Sequence, residues 1–331
     1  QGGAAGQGGA AGQGGAAGQG GSDAGVVYDP PWWNAAFHAR WRIDITNNAS
    51  IDLPAGYQVP LPVETAALDN APAPFDAWRI VRWDAAAKTW TNVARHIDVL
   101  GVRQIVWFRN QKAIAVGATD SDTFLYLDNP SPPPIVANTG VFDMFAPFDA
   151  SSSAWAQQGN VNFFNGAVIL DGTNVGGSIR SAGATWGVRY AVDFWMAVEA
   201  PVVNNSQWFC GGFQRENDFV NNAPWSLWIS RTSGDLVPEF YSSSGNVVGS
   251  KFAVDSPNGH YYSIERFPTT HRFRRDFAVV DSLTVTNAFT APMQVRFSAY
   301  AGSRLSIDFA RVRQAFPSPP GAVLVNAEQG P

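Results

Sequence analysis

The sequence contains a single cysteine, Cys210, among 331 residues. One cysteine excludes an intramolecular disulfide and any zinc cluster built from cysteines. Cys210 lies in the apolar run QWFCGGF, where a thiol typically acts as a small hydrophobic side chain rather than as a nucleophile. The sequence therefore predicts a buried thiol with no reactive role.

Charge of either sign is also sparse. Charged residues make up 15% of the chain, the net charge is -5 and the isoelectric point is about 5.3. This balance lacks the basic footprint of a nucleic-acid-binding protein, and no polybasic stretch is present to bind a membrane surface. No apolar stretch reaches the roughly 18 residues that a membrane-spanning helix needs. We expect neither nucleic acid nor a membrane span.

Familiar catalytic motifs are missing. The sequence has no G-x-S-x-G elbow, no H-E-x-x-H and no P-loop. Glycosidases use two carboxylates, and neither SIDFA nor SIERF has the closely spaced acidic residues of such a pair. The histidines are scattered, and only His260 and His271 are expected to approach each other, across a hairpin. We therefore expect no enzymatic activity, no catalytic residues and no cofactor, with calcium as the one ion considered below.

The residues that are abundant favour β-structure. The chain has 13 Trp and 22 Phe, and long amphipathic helical patterns are absent. Residues 38–46 (HARWRIDIT) alternate apolar and polar positions, which is typical of a half-buried strand. Further short runs of this kind are separated by Pro, Gly, Asn and Asp, and they lie at residues 57–63, 78–83, 102–108 and 123–127. The pattern predicts an all-β protein with two consecutive antiparallel, jelly-roll-like sandwiches.

Proline-rich segments divide the chain. Consecutive prolines in residues 129–134 (NPSPPP) cannot join a central strand and indicate a linker. Residues 317–320 end the second domain, and residues 322–327 (AVLVNA) look like one more strand, which pairs with an exposed edge in its own or a neighbouring subunit. The predicted divisions are an assembly segment, an N-terminal sandwich, a second sandwich and a proline-rich tail, at residues 1–21, 22–134, 135–316 and 317–331.

The N-terminus is a glycine repeat. Every third residue is glycine, with only Gln, Ala and Gly between, and the series consists of Gly3, Gly6, Gly9, Gly12, Gly15, Gly18 and Gly21. This is a collagen-like Gly-X-Y pattern, in which three polyproline II strands wind together because the axial residue lacks a side chain. The absence of proline from the triplets weakens a triple helix. Three alternatives stay open: a triple helix, a larger polyproline II bundle and a flexible spacer.

Several motifs also resemble a known domain pair. The stretches WWNAAFHARWRIDI, DAWRIVRWD and FLYLDNPSPPP resemble an uncharacterised β domain of exported bacterial proteins, with Leu127 and Asp128 where that family has Tyr-Gly. FDMFAPFD, GHYYSIERF, HRFRRDF and SIDFARVRQAF are similar to a concanavalin A-like or laminin-G-like sandwich that often follows this domain. The resemblance implies export, a surface location and glycan contact, but no established activity.

Two groups of residues are candidate binding sites. Trp225 and Trp228, with Tyr241, are candidates for a glycan-binding platform, although a spacing of three points the two tryptophans to opposite faces of a strand. Asp171 and Asn174 offer the hard oxygens that calcium prefers. We interpret their segment, LDGTN, as an ordinary turn, with calcium as the alternative.

Taken together, these features lead to two functional hypotheses. The first is a structural subunit of an extracellular filament or surface appendage, in which copies of the chain assemble through residues 1–21 as a homotrimer or filament and display the sandwiches. The second is a lectin-like surface protein whose repeat is a spacer and whose partners are surface glycans. Because the chain starts at Gln1 rather than Met, we expect a processed protein located outside the cell or on its surface.

Overall fold

The computed structural model describes residues 30–64, 68, 75–100, 103–134, 140–172, 176–200, 208–215, 224–230, 235–242, 245–254, 257–285, 290–300 and 302–329. Within these ranges the regular structure is β-strand, apart from one turn of 3-10 helix at Phe75–Ala77. The all-β prediction is confirmed. The glycine repeat at residues 1–21 lies outside the described residues.

Two sheets form the first sandwich. Sheet I has the strand order β24-β1-β7-β3-β4, and sheet II has the order β2-β6-β5. The strands are β1 (Ala39–Thr46), β2 (Gln58–Glu64), β3 (Arg79–Asp84), β4 (Thr89–Val93), β5 (Arg95–Leu100), β6 (Arg103–Arg109), β7 (Thr119–Leu127) and β24 (Gly321–Gln329).

The second sandwich consists of two larger sheets. Sheet III has the order β10-β11-β23-β13-β19-β20-β21, with β8 beside β23, and sheet IV has the order β17-β16-β15-β14-β22-β12-β9, with β18 beside β16. The strands are β8 (Met144–Ala146), β9 (Trp155–Gly159), β10 (Val161–Phe164), β11 (Ala167–Asp171), β12 (Gly177–Ser181), β13 (Tyr190–Ala200), β14 (Trp208–Gln214), β15 (Trp225–Ser230), β16 (Asp235–Ser242), β17 (Gly245–Val248), β18 (Phe252–Ala253), β19 (Gly259–Arg266), β20 (Thr270–Arg275), β21 (Ala278–Thr284), β22 (Gln294–Tyr300) and β23 (Arg304–Gln314).

Alternation of side chains builds each core. In β1, Ile43 and Ile45 are fully buried between sheets I and II, whereas Arg42 and Asp44 point to the other face and pair with each other. In the second sandwich Phe194 and Phe297 meet edge to face between sheets III and IV. The predicted sandwiches therefore have separate hydrophobic cores, each made by the inward face of two sheets.

The C-terminal strand returns to the first sandwich. β24 pairs antiparallel with β1 of the same chain, and Glu328 accepts hydrogen bonds from the fully buried Arg40 at 2.6 and 2.9 Å. The second sandwich is thus inserted between β7 and β24. Asn326, with a φ of 51°, makes a bulge in β24, a feature that interrupts the pairing edge of an outer strand.

Sheets II and III also pack on each other. An apolar cluster that includes Trp107 of sheet II, Phe142 and Phe277 lies between them. The backbone N–H of Gln314 donates to the side chain of Gln58 across the same boundary, at 2.9 Å. The four sheets are therefore stacked in the order I, II, III, IV. No helix among the described residues is long and apolar enough to cross a bilayer.

Replacing Glu328 with Ala is expected to destabilise the protein by about 2 kcal/mol, because buried Arg40 loses a charge-assisted partner. Asp44→Ala is the matched control. It removes a half-exposed partner of Arg42 from the same strand and should cost less than about 1 kcal/mol. Urea unfolding measures both, and equal effects of the two substitutions would contradict the assignment of the tail strand to this sheet.

Acid should destabilise the second sandwich through His271. Burial, with Arg266 nearby, lowers the pKa of His271 to about 3 from an ordinary value of 6.5, and its Nδ1 lies 3.0 Å from Ser226 Oγ. Between these two pH values the unfolded chain binds the extra proton, so stability falls as the pH drops below about 6.5. His271→Gln should lessen the loss of stability measured by urea unfolding between pH 7 and pH 4.5. His38→Gln, at an exposed histidine, should leave that loss unchanged.

Candidate functional site

The outer face of sheet IV carries the most varied set of polar and aromatic side chains. The inner face of this sheet packs on sheet III, so its outer face is not packed on another of the four sheets. Fifteen of the residues that the register places on it make up what we call the outer-face cluster: Ser178, Arg180, Cys210, Gly212, Gln214, Trp225, Leu227, Ile229, Val237, Glu239, Tyr241, Gln294, Arg296, Ser298 and Tyr300.

An aromatic pair forms one end of the outer-face cluster. Trp225 and Tyr241 are directly opposite on neighbouring strands and stack with centroids 4.5 Å apart and an interplanar angle of 16°. Trp225 is buried and Tyr241 is half-buried. The Trp225 indole N–H donates to Glu239 Oε1 at 3.2 Å, so the carboxylate of Glu239 is held beside the rings.

Arginine and amide side chains form the other end. Arg296 donates to Gln214 Oε1 at 2.7 Å, to Ser298 Oγ at 2.8 Å and to the Tyr300 hydroxyl at 3.1 Å. Burial raises the pKa of the Tyr300 phenol above its ordinary value of 10.0, so the hydroxyl stays protonated. Arg180 lies opposite Arg296 on the next strand. These contacts fix the orientations of several planar polar groups on one face of the sheet, where Arg296, Gln214 and Ser298 are buried.

This combination of groups is suited to recognising a sugar. An aromatic ring takes up apolar CH groups on its face, while amide, guanidinium and carboxylate groups hydrogen-bond with hydroxyls. Glycoside hydrolysis usually requires two carboxylates, about 5 to 9.5 Å apart. Glu239 is the one carboxylate in the outer-face cluster. Asp235 lies four residues earlier on the same face of β16, which is about 13 Å away along the strand and beyond that range. In the described part of the chain, no group of three His, Cys, Asp or Glu residues is arranged to hold a metal ion.

The structure separates the three aromatic residues singled out in the sequence. Trp225 and Tyr241 lie together on the outer face, whereas Trp228 is fully buried in the core between sheets III and IV. Its indole N–H donates to the backbone carbonyl of Ser263 on the facing sheet, at 3.4 Å. Trp228 is thus a core residue, because a spacing of three along a strand reverses the face.

The other predicted site residues lie elsewhere. Asp171 ends β11 and lies opposite Arg304, while Asn174 is outside the described residues. The expected approach of His260 and His271 is wrong. Register pairs His271 with Arg266 at the other end of β19, while His260 contacts Asp276 at 2.8 Å.

The sequence reasoning missed Glu239, Gln214 and Arg296. Polar residues recur at every second position of β22, at Gln294, Arg296 and Ser298, and that alternation was a usable signal for an outward-facing strand. The partner strands, however, are far apart in sequence, and only their register brings these side chains to one face.

Among known proteins, the chain is similar to several solved structures. No protein-family profile matches the chain, and no curated protein matches it. The catalytic domain of an endo-1,3-β-glucanase (laminarinase) from Thermotoga petrophila is similar at 12% identity, over 53% of this chain and 97% of that one, with a TM-score of 0.42. A non-specific endo-β-1,3(4)-glucanase of family GH16 has 12% identity, over 52% and 90% of the two chains, with a TM-score of 0.43. The β-glucanase of Bacillus licheniformis has 14% identity, over 52% and 97%, with a TM-score of 0.40.

These structures correct two expectations. They are β-sandwich glucanases, and against them the expectations of a structural filament subunit and of a chain without enzymatic activity are wrong. At identities this low, the similarity concerns the fold alone. The glucans named for those enzymes are substrates of those enzymes and are not assigned to this chain. The similarity is consistent with the β-sandwich architecture described above.

Proposed function

We propose that the chain is a carbohydrate-active protein that binds a glycan on the outer face of sheet IV. The observation that carries the proposal is the stacked pair of Trp225 and Tyr241 with the carboxylate of Glu239 held beside it. Tyr241, the more exposed ring, contacts the sugar, and Trp225 supports it from behind. Gln214 and Arg296 lie further along the same face, on β14 and β22, where both are buried and bonded to each other, so they support the site from beside it.

Glycoside hydrolysis is a second candidate function. Glu239 favours it, because its side chain is buried and lies beside the aromatic pair, a setting in which a carboxyl group can serve as acid or base. Hydrolysis also requires a second carboxylate near the same glycosidic bond. β-1,3- and mixed-linkage glucans are the substrates to test first, because the similar solved structures act on them.

The location that we propose for glycan binding is outside the cell, where polysaccharides are found. The sequence resemblance to exported bacterial proteins supports it. Self-association through residues 1–21 remains a prediction, and calcium at Asp171 and Asn174 remains the alternative to an ordinary turn.

Tyr241→Ala is expected to weaken binding of soluble glucan oligosaccharides about fivefold, because one stacked ring contributes about 1 kcal/mol. Isothermal titration calorimetry measures the affinity. Phe164→Ala is the matched control, since it removes a 66%-exposed aromatic ring from another sheet of the same sandwich and should leave the affinity unchanged. Equal losses in the two variants, or no binding by the unaltered protein to a panel of plant and microbial glycans, would refute the site.

Reducing-end release from laminarin and mixed-linkage glucan tests the second candidate function. If Glu239 takes part in the chemistry, Glu239→Gln should reduce the rate at least a hundredfold while oligosaccharide affinity changes little. The isosteric amide keeps an acceptor for the Trp225 indole N–H. An equally active Glu239→Gln variant would exclude Glu239 as the acid or base and leave the binding proposal standing.

A further inference from the structure

A buried network of charged side chains joins the two sandwiches. Asp98 of β5 receives two hydrogen bonds from Arg311 of β23, at 2.8 and 2.7 Å. Arg311 also donates to Asp193 at 3.2 Å, and Arg313 bridges Asp193 and Glu265. Every one of these five residues is at least nine-tenths buried.

Aromatic rings enclose the guanidinium at the centre of this network. The Arg311 Cζ atom lies 4.7 Å from the ring centroid of Trp107, 4.6 Å from that of Phe142 and 5.3 Å from that of Phe309. The indole N–H of Trp107 donates to Asp98 at 2.7 Å. The carboxylate from the first sandwich is thus positioned by its own sheet to receive Arg311 from the second.

The charge states of the network are fixed by this geometry. Burial alone would raise the pKa of Asp98, but Arg311 and His96 hold that pKa well below its ordinary value. Burial likewise would lower the pKa of Arg311, and Asp98, Tyr261 and Asp193 raise it. Removing either partner while the sandwiches stay packed would leave the other charge buried without its counter-ion, which is strongly unfavourable.

The chain passes between the first and second sandwiches twice, and these two connections further restrict the motion of one sandwich relative to the other. The first crossing follows β7 and the second leads from β23 to β24. At the second crossing Phe316 packs against Tyr57 of the first sandwich, with centroids 5.1 Å apart, and Arg272 donates to the carbonyl of Pro317 at 2.8 Å.

We propose that the first sandwich is a rigid stem for the second, fixed by the Asp98–Arg311 pair. Pro30 and Glu328 both bind Arg40 at sheet I, so the described chain begins and ends there. Stacked sheets are about 10 Å apart, which places the outer face of sheet IV roughly 30 Å from sheet I. The stem holds the outer-face cluster away from both ends of the described chain. The joint is independent of the proposed function; only its use in presenting a glycan site rests on that function.

Distance measurement between two spin labels tests the joint. Val323→Cys in sheet I and Val248→Cys in sheet IV place labels at residues 55% and 51% exposed, whereas native Cys210 is buried. Double electron–electron resonance on the full chain should give one narrow distance distribution. Asp98→Asn should broaden it, while labels at Val323 and Val116, both in the first sandwich, should keep a narrow distribution in either background.

A broad distribution in the chain without the Asp98 substitution, or an unchanged narrow one in Asp98→Asn, would overturn the proposal. If Asp98→Asn does not fold, the charge-neutral pair Asp98→Asn with Arg311→Gln removes the uncompensated charge and should fold with a broadened distribution. A narrow distribution in that double variant would also overturn it. Glycan binding plays no part in this measurement, so failure of the proposed function leaves its result intact.

Discussion

Arg311 carries a positive charge where water is excluded, and the arrangement of the two sandwiches depends on how that charge is neutralised. Asp193, on the neighbouring strand of its own sheet, supplies one contact, and Asp98 supplies the bidentate pair from the other sandwich. A hydrophobic interface alone would allow sheets II and III to slide over each other. A planar guanidinium paired with a carboxylate sets both distance and orientation, and therefore selects one relative position.

The need to neutralise buried charge also explains why the outer face of sheet III is unusual. A sandwich sheet normally has one apolar and one solvated face. Sheet III instead presents Arg311, Arg313, Asp193 and Glu265 outward, yet these charges are buried because sheet II covers them. In an isolated second sandwich these charged groups would be hydrated. In the intact chain they are removed from water, and each carboxylate therefore needs an arginine beside it.

The two end faces of the stack differ in chemistry. The outer face of sheet I collects Phe124, Tyr126 and Val81 under Phe37, which makes it a small apolar cluster of its own. The outer face of sheet IV combines an aromatic pair with a carboxylate, amides and arginines. On sheet I, Arg40 lies beside Tyr126, but it is fully buried and paired with Glu328. On sheet IV the Tyr241 ring is half-buried, and this is why we propose the glycan site there.

The sequence by itself determined the all-β class, because alternation in stretches such as residues 38–46 has a period that no helix can use. It also determined that Trp225 and Trp228 face opposite ways, since side-chain direction along a strand is a local property. Tertiary structure alone decided that β24 completes sheet I, that Tyr241 stacks on Trp225 and that Asp98 meets Arg311, which are 213 residues apart in sequence. Strand partners and register depend on long-range packing, and the alternation within one strand carries no information about which strand lies beside it.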